Sequence, residues 1–248
     1  MFQNAVCNWR CWYCYVDFEL LSGRSDRSAL ISAEELVQLY MAETRRPPII
    51  DLSGGQPDLV PEWIPWMIEA LSQNGMADQV YLWSDDNLST DYYFSCLTAG
   101  DRNAIERHRM YGKVCCFKGF DAVSFAFNTQ AHQDDFTRQF DLMRRLVRET
   151  SLDLYAYVTF TGPPGSDPAT AMPRFVDRLQ EISPALPLRT VPLRVGVFTP
   201  VQGRLGRNAL TTTLEIQETA IRAWNSELQR RFSTDELSHS ICDAQLRE

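Results

Sequence analysis

Short apolar runs alternate with amphipathic segments along almost the whole chain, and this alternation restricts the fold more than any other feature. The runs Phe2 to Val6, Ile49 to Leu52, Val80 to Trp83, Val114 to Phe117, Leu152 to Thr161 and Val191 to Phe198 read as strands. Between them lie helical patterns. Ser32 with Glu35 forms a capping box that starts a helix near Ala33, and Pro47-Pro48 ends any helix before it. Glu62 to Ser72, Asp91 to Leu97, Asp134 to Glu149 and Ala169 to Ile182 carry apolar residues at spacings of three and four. Thr212 with Glu215 is a second capping box, opening a last long helix to about Phe232. Ser124 to Asn128 fits a strand as well as a short helix after Asp121. Strand and helix repeated about six times imply parallel strands joined by right-handed crossovers. A full eight-unit barrel typically takes ~250 residues. Six units therefore predict an α/β fold of the partial (β/α)6 TIM type, with its site at the carboxyl ends of the strands. No internal repeat or low-complexity linker divides the chain. Residues 1–205 are assigned to the barrel and 206–248 to a C-terminal helical extension packed on the same domain.

Composition narrows the function classes. A net charge of −8 argues against a broad nucleic-acid or membrane-surface footprint. No apolar run approaches bilayer-spanning length, and no signal-peptide pattern opens the chain. The seven cysteines are an odd number with three in one metal-type cluster, which fits a reducing cytoplasm better than a disulfide framework.

That cluster is Cys7-Asn8-Trp9-Arg10-Cys11-Trp12-Tyr13-Cys14, with thiols at offsets of four and three. Three thiolates brought together without a fourth suit an iron–sulfur cluster with one open iron. A structural zinc site wants a fourth Cys or His nearby, yet the next cysteine is Cys96 and the first histidine is His108. Three incidental buried cysteines are the alternative. Only six residues precede Cys7, which is compatible with a truncated amino terminus.

The C-x3-C-x2-C spacing, with Tyr13 before the last cysteine, resembles the signature of the radical S-adenosylmethionine (SAM) superfamily. Ser53-Gly54-Gly55-Gln56-Pro57, after the second strand, resembles that superfamily's Gly-Gly-Glu-Pro motif. The resemblance implies that Cys7, Cys11 and Cys14 hold a [4Fe–4S] cluster whose open iron chelates SAM. Reductive cleavage of SAM to a 5′-deoxyadenosyl radical and hydrogen abstraction from a substrate would follow, making the protein an oxidoreductase. It also implies a flavodoxin- or ferredoxin-type electron donor. Tyr13 would lie near the adenine, and Gly54, Gly55 and Gln56 would hold the SAM amino group. Gln56 stands where the family has Glu, keeping an acceptor oxygen but losing the charge.

Three further segments resemble the single-cluster activating-enzyme branch, the relatives of pyruvate formate-lyase activating enzyme. Asp85 and Asn87, after the third strand, would lie near the methionine half of SAM. Lys118, ending the fourth strand, would pair with the SAM carboxylate, although Cys116 stands where the branch has Asp. Gln202 would take the place of a ribose-contacting His. Asp86, Tyr157 and Arg189 are candidate substrate contacts because they lie at or near strand ends. The substrate is a small molecule, peptide or protein. Glycyl-radical activation leads, and a deazapurine-synthase-like reaction is second. Peptide maturases with auxiliary clusters are disfavoured, because only Cys242 follows Cys116. The alternative from another class is a non-catalytic protein that binds zinc or an iron–sulfur cluster and docks partners through its Trp- and Tyr-rich surface. His108, His132 and His239 match no motif.

Overall fold

A computed structural model describes residues 1–247. It contains one six-stranded sheet in the order β1 (Phe2–Gln3), β2 (Ile49–Ser53), β3 (Tyr81–Asp86), β4 (Tyr111–Lys118), β5 (Asp153–Thr159) and β6 (Thr190–Leu193). Every neighbouring pair is parallel, and strand order follows chain order. This is the expected α/β partial barrel: sequential parallel strands whose connections all run on one side. Those connections carry α1 (Ala33–Ala42), α2 (Trp63–Gln73), α3 (Tyr92–Ser95), α4 (Ala99–Arg107), α5 (Ala122–Thr129), α6 (Asp135–Glu149) and α7 (Pro168–Gln180). After β6 come α8 (Arg207–Arg231) and α9 (Thr234–Ser238). No helix among the described residues is long and apolar enough to cross a membrane.

Strand alternation separates two environments. On β4, Cys115 and Phe117 point into the main core beneath the helices, while Val114 and Cys116 join Tyr155, Trp83 and Tyr157 on the other face, the barrel interior. The helix side is filled by Phe117, Phe140, Phe160, Phe175 and Trp224, all at most 1% exposed, with ring centroids 5.0–6.3 Å apart. Through Trp224, α8 packs on this same core, and Thr213 Oγ1 donates to the Gly162 carbonyl at 3.0 Å. In the barrel interior the Trp83 and Tyr155 rings lie 5.3 Å apart at a tilt of 39°, with Tyr155 toward the amino end. There Arg189 lies 4.4 Å from the Tyr155 ring and binds Asp153 at 2.9 Å.

Several boundaries differ from the sequence expectation. The first strand is only two residues long, and both the backbone N–H and the side chain of Asn4, just after it, donate to the Ser53 carbonyl. β3 continues through Ser84, Asp85 and Asp86, which look like a turn by composition but pair with Lys113, Val114 and Cys115 of β4. β6 stops at Leu193, so Arg194 to Phe198 lie outside the sheet. The last helix begins at Arg207, and Thr212 sits inside it rather than capping it. Segment 122–129 is a helix capped by Asp121, whose carboxylate accepts from the Ser124 amide at 2.7 Å.

Candidate active site

The cysteine loop is fixed by its backbone, which leaves its thiols free. Arg10 N–H donates to Thr129 O, and Trp12 N–H donates to Asn128 O, both at 3.1 Å, tying the loop to the end of α5. The Trp12 indole donates to Asn128 Oδ1 at 3.1 Å. Two guanidinium groups take the loop's carbonyls. Arg10 donates to Cys7 O at 2.6 Å and Trp9 O at 2.9 Å. Arg204, from the connection between β6 and α8, donates to Trp12 O at 3.2 Å, Cys14 O at 2.6 Å and Val16 O at 2.9 Å.

Cys7, Cys11 and Cys14 all line one cavity of about 540 Å³ at the carboxyl ends of the strands. Its size falls in the usual range for small-molecule sites. Burial pushes the Cys7 thiol up, and the Cys11 thiol up to about 12, against the pull of the nearby Lys118 cation. Thiols in this environment ionise on metal binding rather than spontaneously. No group of three His, Cys, Asp or Glu side chains among the described residues is set around a single metal-ion position. The loop contributes three thiols to the cavity wall and no histidine lines it, a donor set of the kind an iron–sulfur cluster takes. Of the four further cysteines, Cys116 lines the same cavity, and Cys115, Cys96 and Cys242 do not. Cys115 and Cys116 are buried β4 residues, while Cys96 and Cys242 are exposed.

Of the other residues singled out in the sequence, Tyr13, Gly54, Gly55, Gln56, Asp85, Asn87, Lys118 and Tyr157 line the same cavity. The Lys118 ammonium makes no salt bridge among the described residues and sits 5.9 Å from the Tyr13 ring centroid. Burial lowers its pKa, but the anionic forms of Tyr13, Cys116, Cys11 and Asp85 around it outweigh that and hold it above the usual lysine value. The Tyr13 hydroxyl is buried without a hydrogen-bond partner. Burial likewise raises Asp85, whose carboxylate accepts from Ser53 Oγ. Gly54 adopts φ +81°, and a Cβ there would lie 2.6 Å from Gln3 Cγ. At Gly55 a Cβ would come within 2.4 Å of the Val6 carbonyl. The glycine pair thus lets the turn pass close to the amino-terminal segment, a packing reason beside the ligand-approach reason.

Four expectations need correction. The Gln56 amide is already spent inside the protein: Nε2 donates to Asp86 Oδ1 at 2.9 Å, and Oε1 accepts from Asn87 N–H at 2.8 Å. Asp86 faces the helix layer, one residue out of phase with Asp85, and is 3% exposed beside Lys113, so it is not a cavity residue. Arg189 precedes β6 and therefore lies at the amino end of the sheet, opposite the cavity. Gln202 is exposed and outside the cavity, because the chain leaves the sheet nine residues before it. His132 and His239 are exposed and His108 is half-buried.

Three features escaped the sequence reading. Asp51, on the interior face of β2 level with Trp83, lines the cavity; burial, with Asp85 nearby, raises it to about 6. Lys113, Asp58 and Asp86 form a buried charged group under the turn. Arg204 is the third, and nothing in its local sequence marks its role. The alternation of Asp51 with the apolar Ile50 and Leu52 was a usable signal for the first.

No family model matches the chain, and no curated protein does. Solved structures do resemble its fold. The crystal structure of Streptococcus suis SuiB bound to S-adenosylmethionine has a TM-score of 0.57 at 13% identity, covering 91% of this chain and 46% of that one. SuiB alone gives 0.55 at 11% identity, covering 98% and 54%. SuiB bound to the precursor peptide SuiA gives 0.51 at 14% identity, covering 73% and 36%. The chain therefore spans between about a third and about a half of these structures.

Proposed function

We propose that the chain is the core of a radical-SAM enzyme, with residues 1–205 as its catalytic barrel and 206–248 as a helical extension. One observation carries this reading: the three thiols of the C-x3-C-x2-C loop and the unpaired Lys118 line one cavity at the carboxyl ends of a parallel partial barrel. The fold likeness to a structure bound to SAM supports it. The thiols of Cys7, Cys11 and Cys14 would hold a [4Fe–4S] cluster. When bound, the cluster and SAM supply reductive cleavage of SAM and hydrogen abstraction from the substrate.

The chain's own residues bind, orient and exclude water. Lys118 offers its ammonium to the SAM carboxylate, a charge-assisted contact in a site of low dielectric. Asp85 is the carboxylate that faces the cavity beside Gly54 and Gly55, and it receives the SAM amino group. Asn87 lies at the same rim. Tyr13 lines the cavity and would lie near the adenine. Trp83, Tyr157 and Leu193 form an apolar wall that keeps water from the reacting atoms. A flavodoxin- or ferredoxin-type donor in the cytoplasm supplies the electron.

For the substrate, a peptide is the reading favoured by the likeness to SuiB bound to its precursor peptide. Among the described residues Cys116 faces the same cavity as the loop thiols, Cys115 is buried on the other face of β4, and Cys96 and Cys242 are exposed. The test is anaerobic reconstitution with iron and sulfide, followed by dithionite and SAM. Formation of 5′-deoxyadenosine, lost in Cys11→Ala, supports the reading. Bound zinc without that product contradicts it.

A further inference from the structure

Gln56 stands at the acidic position of the Gly-Gly motif, yet its side chain is 3% exposed and both of its polar ends are engaged. A chain of contacts runs through it. Lys113 Nζ lies 2.5 Å from Asp58 Oδ2 and 3.6 Å from Asp86 Oδ2, with all three side chains at most 4% exposed. Asp86 Oδ1 accepts from Gln56 Nε2 at 2.9 Å and from the Leu88 amide at 2.8 Å. Gln56 Oε1 accepts from the Asn87 amide at 2.8 Å. The Asn87 side chain donates to Asn8 Oδ1 at 3.0 Å, and its Nδ2 lies 3.9 Å from the Cys7 sulfur. Leu88, next in sequence, is held at φ +59°, a conformation that L residues other than Asn and Asp rarely adopt. Such a backbone persists only where its surroundings fix it, and the Asp86 carboxylate on its amide does so.

We infer that Gln56 is a positioning residue, the neutral link in a buried relay from Lys113 and Asp86 that sets Asn87 on the Cys7 sulfur. The identification of Cys7 as a cluster ligand rests on the proposed function; the relay itself does not. The polarity of each contact requires an amide at this position. Asp86 Oδ1 already accepts from the Leu88 N–H, so residue 56 meets it as a donor. The Asn87 N–H can only donate, so residue 56 must also accept. Glutamine does both. A glutamate, the residue of the resembled motif, would satisfy Asn87 but set a second carboxylate against Asp86, where one lysine already serves two acids. The departure from the Gly-Gly-Glu pattern is thus tied to Asp86 and Lys113. Hydrogen bonds to ligand sulfur tune a cluster's potential, so the relay has a spectroscopic readout.

The two roles for residue 56 predict opposite signs. If its side chain is a SAM ligand, Gln56→Glu restores the motif's charge and tightens SAM binding. If it positions Asn87, the same change lowers the apo protein's unfolding midpoint by roughly 5 °C. The reduced cluster's electron paramagnetic resonance spectrum then shifts as well. The double change Gln56→Glu with Asp86→Asn keeps one acid and one amide; it should unfold above Gln56→Glu alone, though below wild type, because Leu88 N–H then loses its acceptor. Gln56→Met removes the relay without adding charge. It should shift the spectrum while SAM affinity stays within about threefold. Tighter SAM binding by Gln56→Glu at an unchanged midpoint would overturn the inference. So would a double variant no more stable than the single, or at least tenfold weaker SAM binding by Gln56→Met with an unchanged spectrum. If wild type assembles no cluster, the proposed function fails, and the apo midpoints still decide the pairing of Gln56 with Asp86.

Discussion

The Lys118 ammonium faces the cavity and makes no salt bridge among the described residues, so it is open to the anion of a ligand. Lys118→Met should leave cluster assembly intact and weaken SAM binding by about 10- to 100-fold, the value of one hydrogen bond to a charged group. Equilibrium binding to the reconstituted protein measures this. Asp51 sets a pH dependence. Its folded-state pKa, about 6, lies above the ordinary value of 3.8. The folded state therefore holds that proton more tightly than the unfolded state. The stability it contributes is complete below pH ~4 and is lost as pH rises through about 6. Asp51→Asn removes this loss. The variant's advantage over wild type in thermal unfolding should be absent near pH 4 and reach about 1 kcal/mol above pH 7, after allowance for solvent screening of a half-exposed group. The sequence revealed the cavity residues where one motif carries several of them, as in Cys7 to Cys14 and Gly54 to Gln56. It misled at Asp86 and Arg189. Nearness to a strand end says neither which face a side chain takes nor which end of the strand it occupies.

At the scale of elements, the cysteine loop has no regular structure and is held from outside. Arg204 supplies three of its restraints from a segment about 190 residues later in the chain. Arg204→Met removes the guanidinium from the Phe18 ring and leaves three carbonyls without its N–H donors. It should lower apo stability by about 2 kcal/mol and speed iron loss from the reconstituted protein, read as the decay of visible absorbance under chelator. Elements with strong local signals were legible. α1 starts at the Ser32 and Glu35 capping box, and the apolar stripe of α6 is buried as its spacing predicts. α4 was missed because only Ile105 is buried along it, leaving little periodicity to read. The start of α8 was misplaced because Thr212 and Glu215 fit a capping box that the helix passes straight through.

For the whole molecule, stability rests on the aromatic cluster that joins the sheet to α6, α7 and α8. Phe175 touches Phe117, Phe140, Phe160 and Trp224. Phe175→Ala should cost about 3–5 kcal/mol, seen in chemical denaturation as a lower midpoint with an unchanged slope. The six-fold alternation of strand and helix was enough to predict the parallel barrel, because chain order, handedness and strand adjacency follow from it. Contacts between distant segments, such as the Arg204 clamp and the Lys113 group, leave no local pattern and became visible only in three dimensions. The central claim is that Cys7, Cys11 and Cys14 would hold a four-iron cluster to which SAM binds. Electron paramagnetic resonance of the reduced, reconstituted protein with and without SAM tests it most directly. The account predicts about four irons per chain and a spectrum that changes when SAM is added. A full cluster whose spectrum ignores SAM, or a single zinc in its place, would contradict it.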